Sequence, residues 1–271
     1  METGLNNYHG GIDKIRVIMK STHSIKVATI ASLLSIAFNP AVAEEYQDMS
    51  DPLSVYSQAG IGATNKGLNF KFGQAYDTNN DSTMAMHVLE AKGFAADALS
   101  LNGNDSFDSL RYRHFTVDTQ NGLGSQIDIN WDFNQKLGSA SYSVIQALPA
   151  FGPVQLYPLA GIGVNVADVD SALLVDNEDN AIGSIGYAIP SSFGLLGVYS
   201  KIELNDQVWL NYNPMYTTQL GGLETFSNLY GWQHEIAASY QINTQSNIRA
   251  FWNFGEALKG TDFRVEYNYQ F

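Results

Sequence analysis

Polar and apolar residues alternate strictly over several long stretches of this sequence. The clearest is SQIDINWDFNQ (125–135), in which Ile127, Ile129, Trp131 and Phe133 fall on one side of an extended chain. The residues between them are all Gln, Asp or Asn. Because successive side chains of a β-strand point to opposite faces, this pattern predicts strands with one apolar and one polar face.

The same alternation recurs in WQHEIAASYQI (232–242), in SNIRAFWNFGE (246–256) and in the last nine residues, FRVEYNYQF (263–271). The C-terminal stretch is the strictest, because a bulky apolar residue occupies every second position up to Phe271. The composition agrees with this pattern, since 24 glycines and 12% aromatic residues suit strands and turns better than helices.

Two architectures produce such alternation. A soluble β-sandwich buries its apolar faces inside, whereas a transmembrane barrel turns them outward to lipid. The alternating segments run to about 10–14 residues, longer than the usual soluble strand of about 5–6 and long enough for a tilted membrane span of about 9–11. We therefore predict an all-β fold, a transmembrane antiparallel up-and-down β-barrel, and keep the sandwich as the alternative.

The N-terminal residues have the features of an export signal. Lys20 and Lys26 provide a short basic region, the apolar run VATIASLLSIAF (27–38) follows, and Ala41-Val42-Ala43 fits the small-x-small rule for cleavage. The apolar run is too short for a membrane-spanning helix, which needs about 20 residues.

We expect cleavage after Ala43, and Met19 is an alternative start because residues 19–43 are a complete signal by themselves. The predicted organisation is a signal peptide (1–43), a short periplasmic segment (44–53) and the barrel (54–271). The chain has no cysteine, which excludes disulfides and thiolate sites, and its net charge of −13 argues against nucleic acid as a partner.

Counting alternating segments gives twelve candidate strands, with ten as the fallback because the first is weakly patterned and 167–190 is hard to place. The candidates are 54–63, 67–77, 82–95, 106–118, 123–135, 137–149, 153–166, 191–204, 206–219, 229–243, 246–257 and 261–271. This count places five short turns on the side of both chain ends, which we expect to be the periplasmic side. Pro158 and Pro214 fall inside candidate strands, where each would remove a ladder donor, so we expect bulges or shifted boundaries there.

The Ala-Val-Ala signal end, the alternating segments and the terminal Tyr267, Tyr269 and Phe271 resemble those of bacterial outer-membrane β-barrel proteins. The resemblance covers about 54–271 and extends to the small porin- or channel-like, uncharacterised barrels of gammaproteobacteria. It implies an outer-membrane location, contact with lipid and lipopolysaccharide, and assembly by periplasmic chaperones and the barrel-assembly machinery. In that class Tyr267, Tyr269 and Phe271 would form the C-terminal assembly signal.

The polar strand faces would then point into the lumen and carry charges of both signs. The charged lumen candidates are Lys71, Glu90, Lys92, Arg111, Arg113, Asp128, Asp132, Lys201, Glu203, Glu235, Arg249, Arg264 and Glu266. Buried charges must pair or stay hydrated, so the interior is either a water-filled pore or a dry, salt-bridged core. Small inward residues such as Ser139, Ser141 and Ser143 favour the pore.

We therefore predict a passive channel or narrow porin for small hydrophilic solutes, with a mixed-charge lumen. The alternative is a non-conducting structural or surface-interaction barrel with acidic external loops, among them 167–180. We expect no enzyme, cofactor or metal. Of the three histidines His87, His114 and His234, the last two share a face with apolar residues, and no Ser/His pattern resembles that of outer-membrane phospholipases or proteases. The loop DTNNDS (77–82) begins like a calcium loop but lacks its Gly at position six and its Glu at position twelve.

Overall fold

A computed structural model describes residues 46–99, 106–168, 186–257 and 261–271, which contain a closed barrel of twelve antiparallel strands. The strands are β1 (Gln58–Thr64), β2 (Gly67–Asp77), β3 (Thr83–Phe94), β4 (Ser109–Asp118), β5 (Leu123–Asp132), β6 (Leu137–Gln146), β7 (Val154–Asp168), β8 (Tyr187–Asn205), β9 (Val208–Gly222), β10 (Gly231–Asn243), β11 (Ser246–Gly255) and β12 (Asp262–Gln270). The predicted fold and the count of twelve are confirmed. Within the described ranges, no helix is long and apolar enough to cross a membrane.

The barrel closes where β1 pairs with β12, over seven residue pairs from Gln58 opposite Gln270 to Thr64 opposite Arg264. In a bilayer no water satisfies the backbone of an edge strand, so closure is required for a spanning sheet. The seam joins the first and last strands of the chain.

The distribution of side chains is the reverse of that in a soluble protein. Ile162, Leu196 and Phe263 point outward and are 65%, 63% and 58% exposed, whereas Asn247 and Asn268 point inward and are 1% and 2% exposed. Large apolar side chains normally occupy the interior of a soluble domain. An apolar outer band around a polar interior is the arrangement that a lipid bilayer stabilises.

The two ends of the barrel differ in their connections. At one end, which we call the terminal mouth, β1 begins and β12 ends, and all five connections are short: 78–82, 119–122, 147–153, 206–207 and 244–245. At the opposite end, the loop mouth, residues 223–230 contain the 3-10 helix Glu224–Leu229. Most of the predicted acidic loop 167–180 lies outside the described residues.

Pro158 lies inside β7, and its position relative to the neighbouring strand β6 explains why a proline is tolerated there. The ladder between β6 and β7 ends at the pair of Ile145 with Leu159, so the adjacent residue Pro158 has no partner in β6. The proline therefore sits where β6 has stopped pairing, and the expected bulge is not found at this position.

Pro214 lies inside β9 beside an interruption in the ladder to β8, where pairing stops for four residues on each strand. Side chains replace the missing backbone bonds. Ser200 N–H donates to Asn213 Oδ1 (3.2 Å), Tyr212 N–H donates to Ser200 Oγ (3.0 Å), and Asn211 Nδ2 donates to the Ser200 carbonyl (2.8 Å). We call Ser200, Asn211, Tyr212 and Asn213 the side-chain seam. It keeps backbone groups satisfied where the proline cannot donate.

The outward assignment of β12 predicts a position-dependent cost for a charge. Val265 lies near the middle of the strand and faces outward, so Val265→Lys should lower the free energy of unfolding in a bilayer by about 2–4 kcal/mol. Asp262 faces the lumen near the loop mouth of the same strand, so Asp262→Lys keeps the new charge out of the lipid and should cost less than about 1 kcal/mol. Equilibrium denaturation after refolding into phospholipid vesicles measures both, and an equal cost would contradict the assignment.

Candidate functional site

The inner face of the barrel surrounds a cavity of about 440 Å³. Ten of the thirteen charged residues predicted for the lumen lie around its middle. They are Lys71, Glu90, Lys92, Arg111, Arg113, Asp128, Glu235, Arg249, Arg264 and Glu266. All ten belong to strands, so their positions are set by the alternation of the barrel wall. The charged middle of the lumen is the candidate functional site.

One ion network crosses the closing seam of the barrel. Glu266 forms ion pairs with two cations, with Lys71 Nζ at 3.5 Å and Arg264 Nε at 2.9 Å. Arg264 also lies 4.0 Å from Glu235, whose Oε1 accepts a bond from Asn213 Nδ2 at 2.9 Å. Each charge is compensated inside the lumen, as groups with little access to water require.

Two glycines of β1 make room for this network. A Cβ atom at Gly62 would lie 2.7 Å from Glu266 Cγ, and one at Gly60 would lie 2.7 Å from Asn268 Oδ1 and 3.1 Å from Lys71 Cε. The two distances of 2.7 Å are shorter than real Cβ contacts, so a side chain at either glycine would displace the neighbouring inward side chain. The G-x-G pattern at this position therefore provides space for inward side chains and is not a nucleotide-binding turn.

A second set of ion pairs joins β3, β4 and β5. Glu90 pairs with Arg113 and lies 3.5 Å from Lys92 Nζ. Arg111 forms a two-bond contact with Asp128, in which Nε donates to Oδ1 at 2.8 Å. A planar two-bond pair fixes the orientation of the guanidinium and also compensates its charge. These side chains therefore keep the lumen in a defined shape.

Arg249 is the exception in this site, since no carboxylate among the described residues lies within 4.0 Å of its guanidinium. Its Nε donates to Ser239 Oγ (3.0 Å) and its Nη2 to Asn211 Oδ1 (2.9 Å). Arg249 and Arg264 both lie against the inward ring of Phe251, at 4.8 and 4.2 Å from its centroid. Of the ten predicted charges in the middle of the lumen, six are cations and four are carboxylates. Asp51 and Asp262 also line the cavity and bring the carboxylates to six, so the uncompensated positive charge lies at Arg249.

The predicted candidates Lys201 and Glu203 lie apart from this group, at the terminal mouth. Lys201 Nζ is 2.7 Å from Glu203 Oε1 and 2.8 Å from Asp48 Oδ2. Burial raises the pKa of the Asp48 carboxyl, but bonds from Lys201 and Ser50 outweigh burial and hold that pKa below its usual value.

Asp132, the remaining predicted candidate, lies at the loop-mouth end of β5. Its two carboxylate oxygens accept bonds from the backbone N–H and the side-chain amide of Gln135, at 2.7 and 3.1 Å. It therefore closes its own turn and is not brought together with the central charges.

Residues 46–57, which we call the N-terminal segment, lie against inward-facing side chains at the terminal mouth. Gln47 exchanges two bonds with Gln270, at 3.2 and 3.0 Å. Val55 is 3% exposed and packs with inward apolar residues of β3 and β4, including Met86. Sequence reasoning missed these contacts, because nothing in a local pattern indicates that Asp48 meets a lysine 153 residues away.

At the loop mouth, the connection between β9 and β10 turns over the barrel interior. Phe226 is fully buried in an apolar cluster with inward residues of β6, β7 and β8. The hydroxyl of Tyr230 is bonded to Ser191 Oγ (2.8 Å) and accepts from Asn165 Nδ2 (2.7 Å). These contacts hold residues 223–230 against the barrel wall.

The three histidines of the barrel face outward and each is bonded to a tyrosine. The pairs are Tyr76 with His114 at 2.7 Å, Tyr112 with His87 at 2.8 Å and Tyr212 with His234 at 3.0 Å. In the turn 78–82 and its flank, carboxylate and amide oxygens accept bonds from the turn itself. The described residues contain no cluster of three or more metal-ligating side chains.

The predicted assembly residues lie at the terminal end of β12. Tyr267 is 41% exposed, and its hydroxyl is bonded to Ser246 Oγ at 3.0 Å. The Tyr269 hydroxyl accepts from an amide of the β10–β11 turn at 3.0 Å, and Phe271 N–H donates to the Ser57 carbonyl at 3.1 Å.

No protein-family model and no curated protein matches the sequence. Among solved structures, an outer membrane channel from Pseudomonas putida F1 has a TM-score of 0.56 at 9% identity, over 84% of this chain and 100% of that chain. The KdgM porin in complex with disordered oligogalacturonate has a TM-score of 0.49 at 8% identity, over 80% and 99% of the two chains. The NanC porin has a TM-score of 0.49 at 6% identity, over 80% and 100%. The likeness to the Pseudomonas channel shows that this chain has the fold of an outer-membrane β-barrel.

Proposed function

We propose that this protein is a passive channel of the bacterial outer membrane for small hydrophilic solutes, and not an enzyme. The observation that carries the proposal is a polar, charged cavity of about 440 Å³ inside a closed barrel with an apolar outer surface. So many charged side chains are incompatible with an apolar interior, and they attract water and ions. The fold shared with an outer membrane channel supports both the location and the function.

A lumen cation without a carboxylate partner among the described residues makes anions the preferred solutes. Five of the six cations have a carboxylate partner, and Arg249 keeps only neutral hydrogen-bond partners among the described residues. A positive potential in a narrow, poorly screened lumen raises the local concentration of anions.

A non-conducting structural barrel is the second candidate, and two observations favour it. The N-terminal segment lies across the terminal mouth, and residues 223–230 lie over part of the loop mouth. The two candidates differ in one measurable property, the passage of ions.

The channel proposal predicts unitary current steps when the refolded protein is added to a planar lipid bilayer, and uptake of small sugars by vesicles that contain it. Heat-modifiable mobility on gels checks that the sample is a folded barrel. A folded barrel that passes neither ions nor sugars would favour the structural candidate.

Arg249→Gln should lower the anion-to-cation permeability ratio roughly twofold, because it removes a charge from a region of low effective dielectric. Reversal potentials in a salt gradient measure this ratio. Lys66→Gln is the matched control, since it removes an exposed cation in the turn after β1, and it should leave the ratio unchanged. Equal shifts in both variants would rule out a lumen origin for the selectivity.

We also propose that the barrel-assembly machinery and periplasmic chaperones recognise the C-terminal Tyr267, Tyr269 and Phe271, and that lipid and lipopolysaccharide surround the barrel. Phe271→Ala should then reduce the amount of protein in outer-membrane fractions severalfold while refolding into vesicles proceeds as for the native chain. The same substitution at Phe263, an outward aromatic at the other end of β12, is the control. A defect in vesicle refolding would indicate a structural role for Phe271 instead.

A further inference from the structure

The N-terminal segment (residues 46–57) spans the terminal mouth from one wall to the opposite wall. Its first residues bond to Lys201 of β8 and Gln270 of β12, and its later residues pack with Met86 of β3 and Val117 of β4. In the ring of twelve strands, β3 and β8 lie on opposite sides. A chain that joins these walls must cross the path through the lumen.

Cavities lie on both sides of this crossing. The charged cavity of about 440 Å³ lies on the inner side, and a second cavity of about 620 Å³ lies among the turns of the terminal mouth. Met49 and Ser50 line both cavities. The two spaces are therefore separated by a single turn of chain, so a displacement of that turn would join them.

The later part of the segment is firmly anchored. Val55 is buried in the apolar cluster with inward residues of β3 and β4. The Ser57 carbonyl accepts from Phe271 N–H at 3.1 Å, and Ser57 Oγ accepts from Ala75 N–H at 3.1 Å. Apolar burial and backbone bonds of this kind are lost only at substantial cost.

The first part is held mostly by polar contacts that water can replace, together with the side chain of Met49, which is 5% exposed. Asp48 pairs with Lys201 at 2.8 Å, and the Asp48 side chain is 58% exposed. Gln47 exchanges two bonds with Gln270, and the sulfur of Met49 accepts from a side-chain amide of β10 at 3.4 Å. Both partners of each polar contact would be hydrated after separation, so the exposure of Met49 is the main cost of detaching this part.

The first part also carries its own internal bonds. Asp48 Oδ1 accepts from the backbone N–H and the hydroxyl of Ser50, at 2.8 and 2.6 Å. Asp51 Oδ1 accepts from Leu53 N–H at 2.8 Å. These turns are closed by bonds within the segment itself, so residues 46–51 can keep their conformation when they move away from the barrel wall.

We propose that residues 46–51 are a gate at the terminal mouth, attached through residues 53–57 and held closed by the Asp48–Lys201 pair. The structure contains the closed state, in which Met49 and Ser50 separate the two cavities. In the open state the pair is broken, the first part moves out of the mouth, and the cavities form one path. This inference rests on the proposed channel function.

Asp48→Asn tests the latch, because an asparagine oxygen still accepts the two bonds from Ser50 but no longer attracts Lys201 as an anion. Single-channel recordings in planar bilayers should show an open probability about two- to fivefold higher than in the native protein, the factor expected for an ion pair of this exposure. Asp118→Asn is the matched control. Asp118 Oδ1 closes the same kind of turn at the same mouth, because it accepts a bond from Gln120 N–H at 2.9 Å. The Asp118→Asn variant should therefore show the same open probability as the native protein.

Two further variants test the gate independently of the latch. Deletion of residues 46–51 from the full chain should give channels that stay open. Gln47→Cys combined with Gln270→Cys, joined by a short thiol-specific crosslinker, should give channels that stay closed. The native chain has no cysteine, so the crosslink has one possible position, and the same double variant without crosslinker serves as its control.

The outcomes separate this inference from the channel proposal. If the deletion variant and the native protein conduct with the same open probability, the gate is wrong and the channel stands. If the deletion variant is a folded, heat-modifiable barrel that passes no ions, the channel proposal fails, and the gate fails with it. Closure by the crosslinker together with constant opening after deletion establishes the gate.

Discussion

The structure depends on one requirement, that every backbone donor and acceptor in a membrane-spanning sheet has a partner within the protein. Twelve strands meet this requirement by closing β1 on β12. Closure turns one face of every strand toward lipid and the other inward, so the inner face must accept the polar half of each alternating segment. The charged interior therefore follows from the same alternation that makes the outer surface apolar.

The interior charges meet a second requirement, that groups with little access to water are compensated nearby. Glu266 and Glu90 each serve two cations, and Arg111 is matched to Asp128. Arg249 is stabilised by an aromatic ring and two neutral acceptors. The network is rigid where pairs are planar, and its uncompensated positive charge lies at Arg249, which has no carboxylate partner among the described residues. The architecture thus supplies a defined lumen shape and, in the channel that we propose, a preference for anions.

Most of the fold was predictable from the sequence, because alternation is a local signal that each strand carries by itself. The twelve strands and the pairing of the last with the first follow from it. The partners of the inward charges were not predictable, since they depend on register between strands and on bulges such as the one between β2 and β3. Residues 44–53 were predicted as a periplasmic segment and 54–57 as the start of the first strand, which begins at Gln58. The contacts of the N-terminal segment (46–57) across the mouth depend on residues far away in the chain. Its short acidic turns gave no indication of Lys201.

The side-chain seam gives the barrel wall a property that a continuous ladder lacks. Along β8 and β9, the bonds at Ser200 are made by amide and hydroxyl side chains, which can turn while the backbone stays in place. A backbone ladder resists shear because its donors and acceptors are rigidly spaced, whereas side-chain bonds tolerate small changes of strand separation. Lys201 follows Ser200 along β8, so the proposed Asp48–Lys201 latch lies directly beside the side-chain seam. The latch that we propose is therefore anchored next to the part of the β8–β9 contact where side chains, and not a continuous backbone ladder, join the two strands.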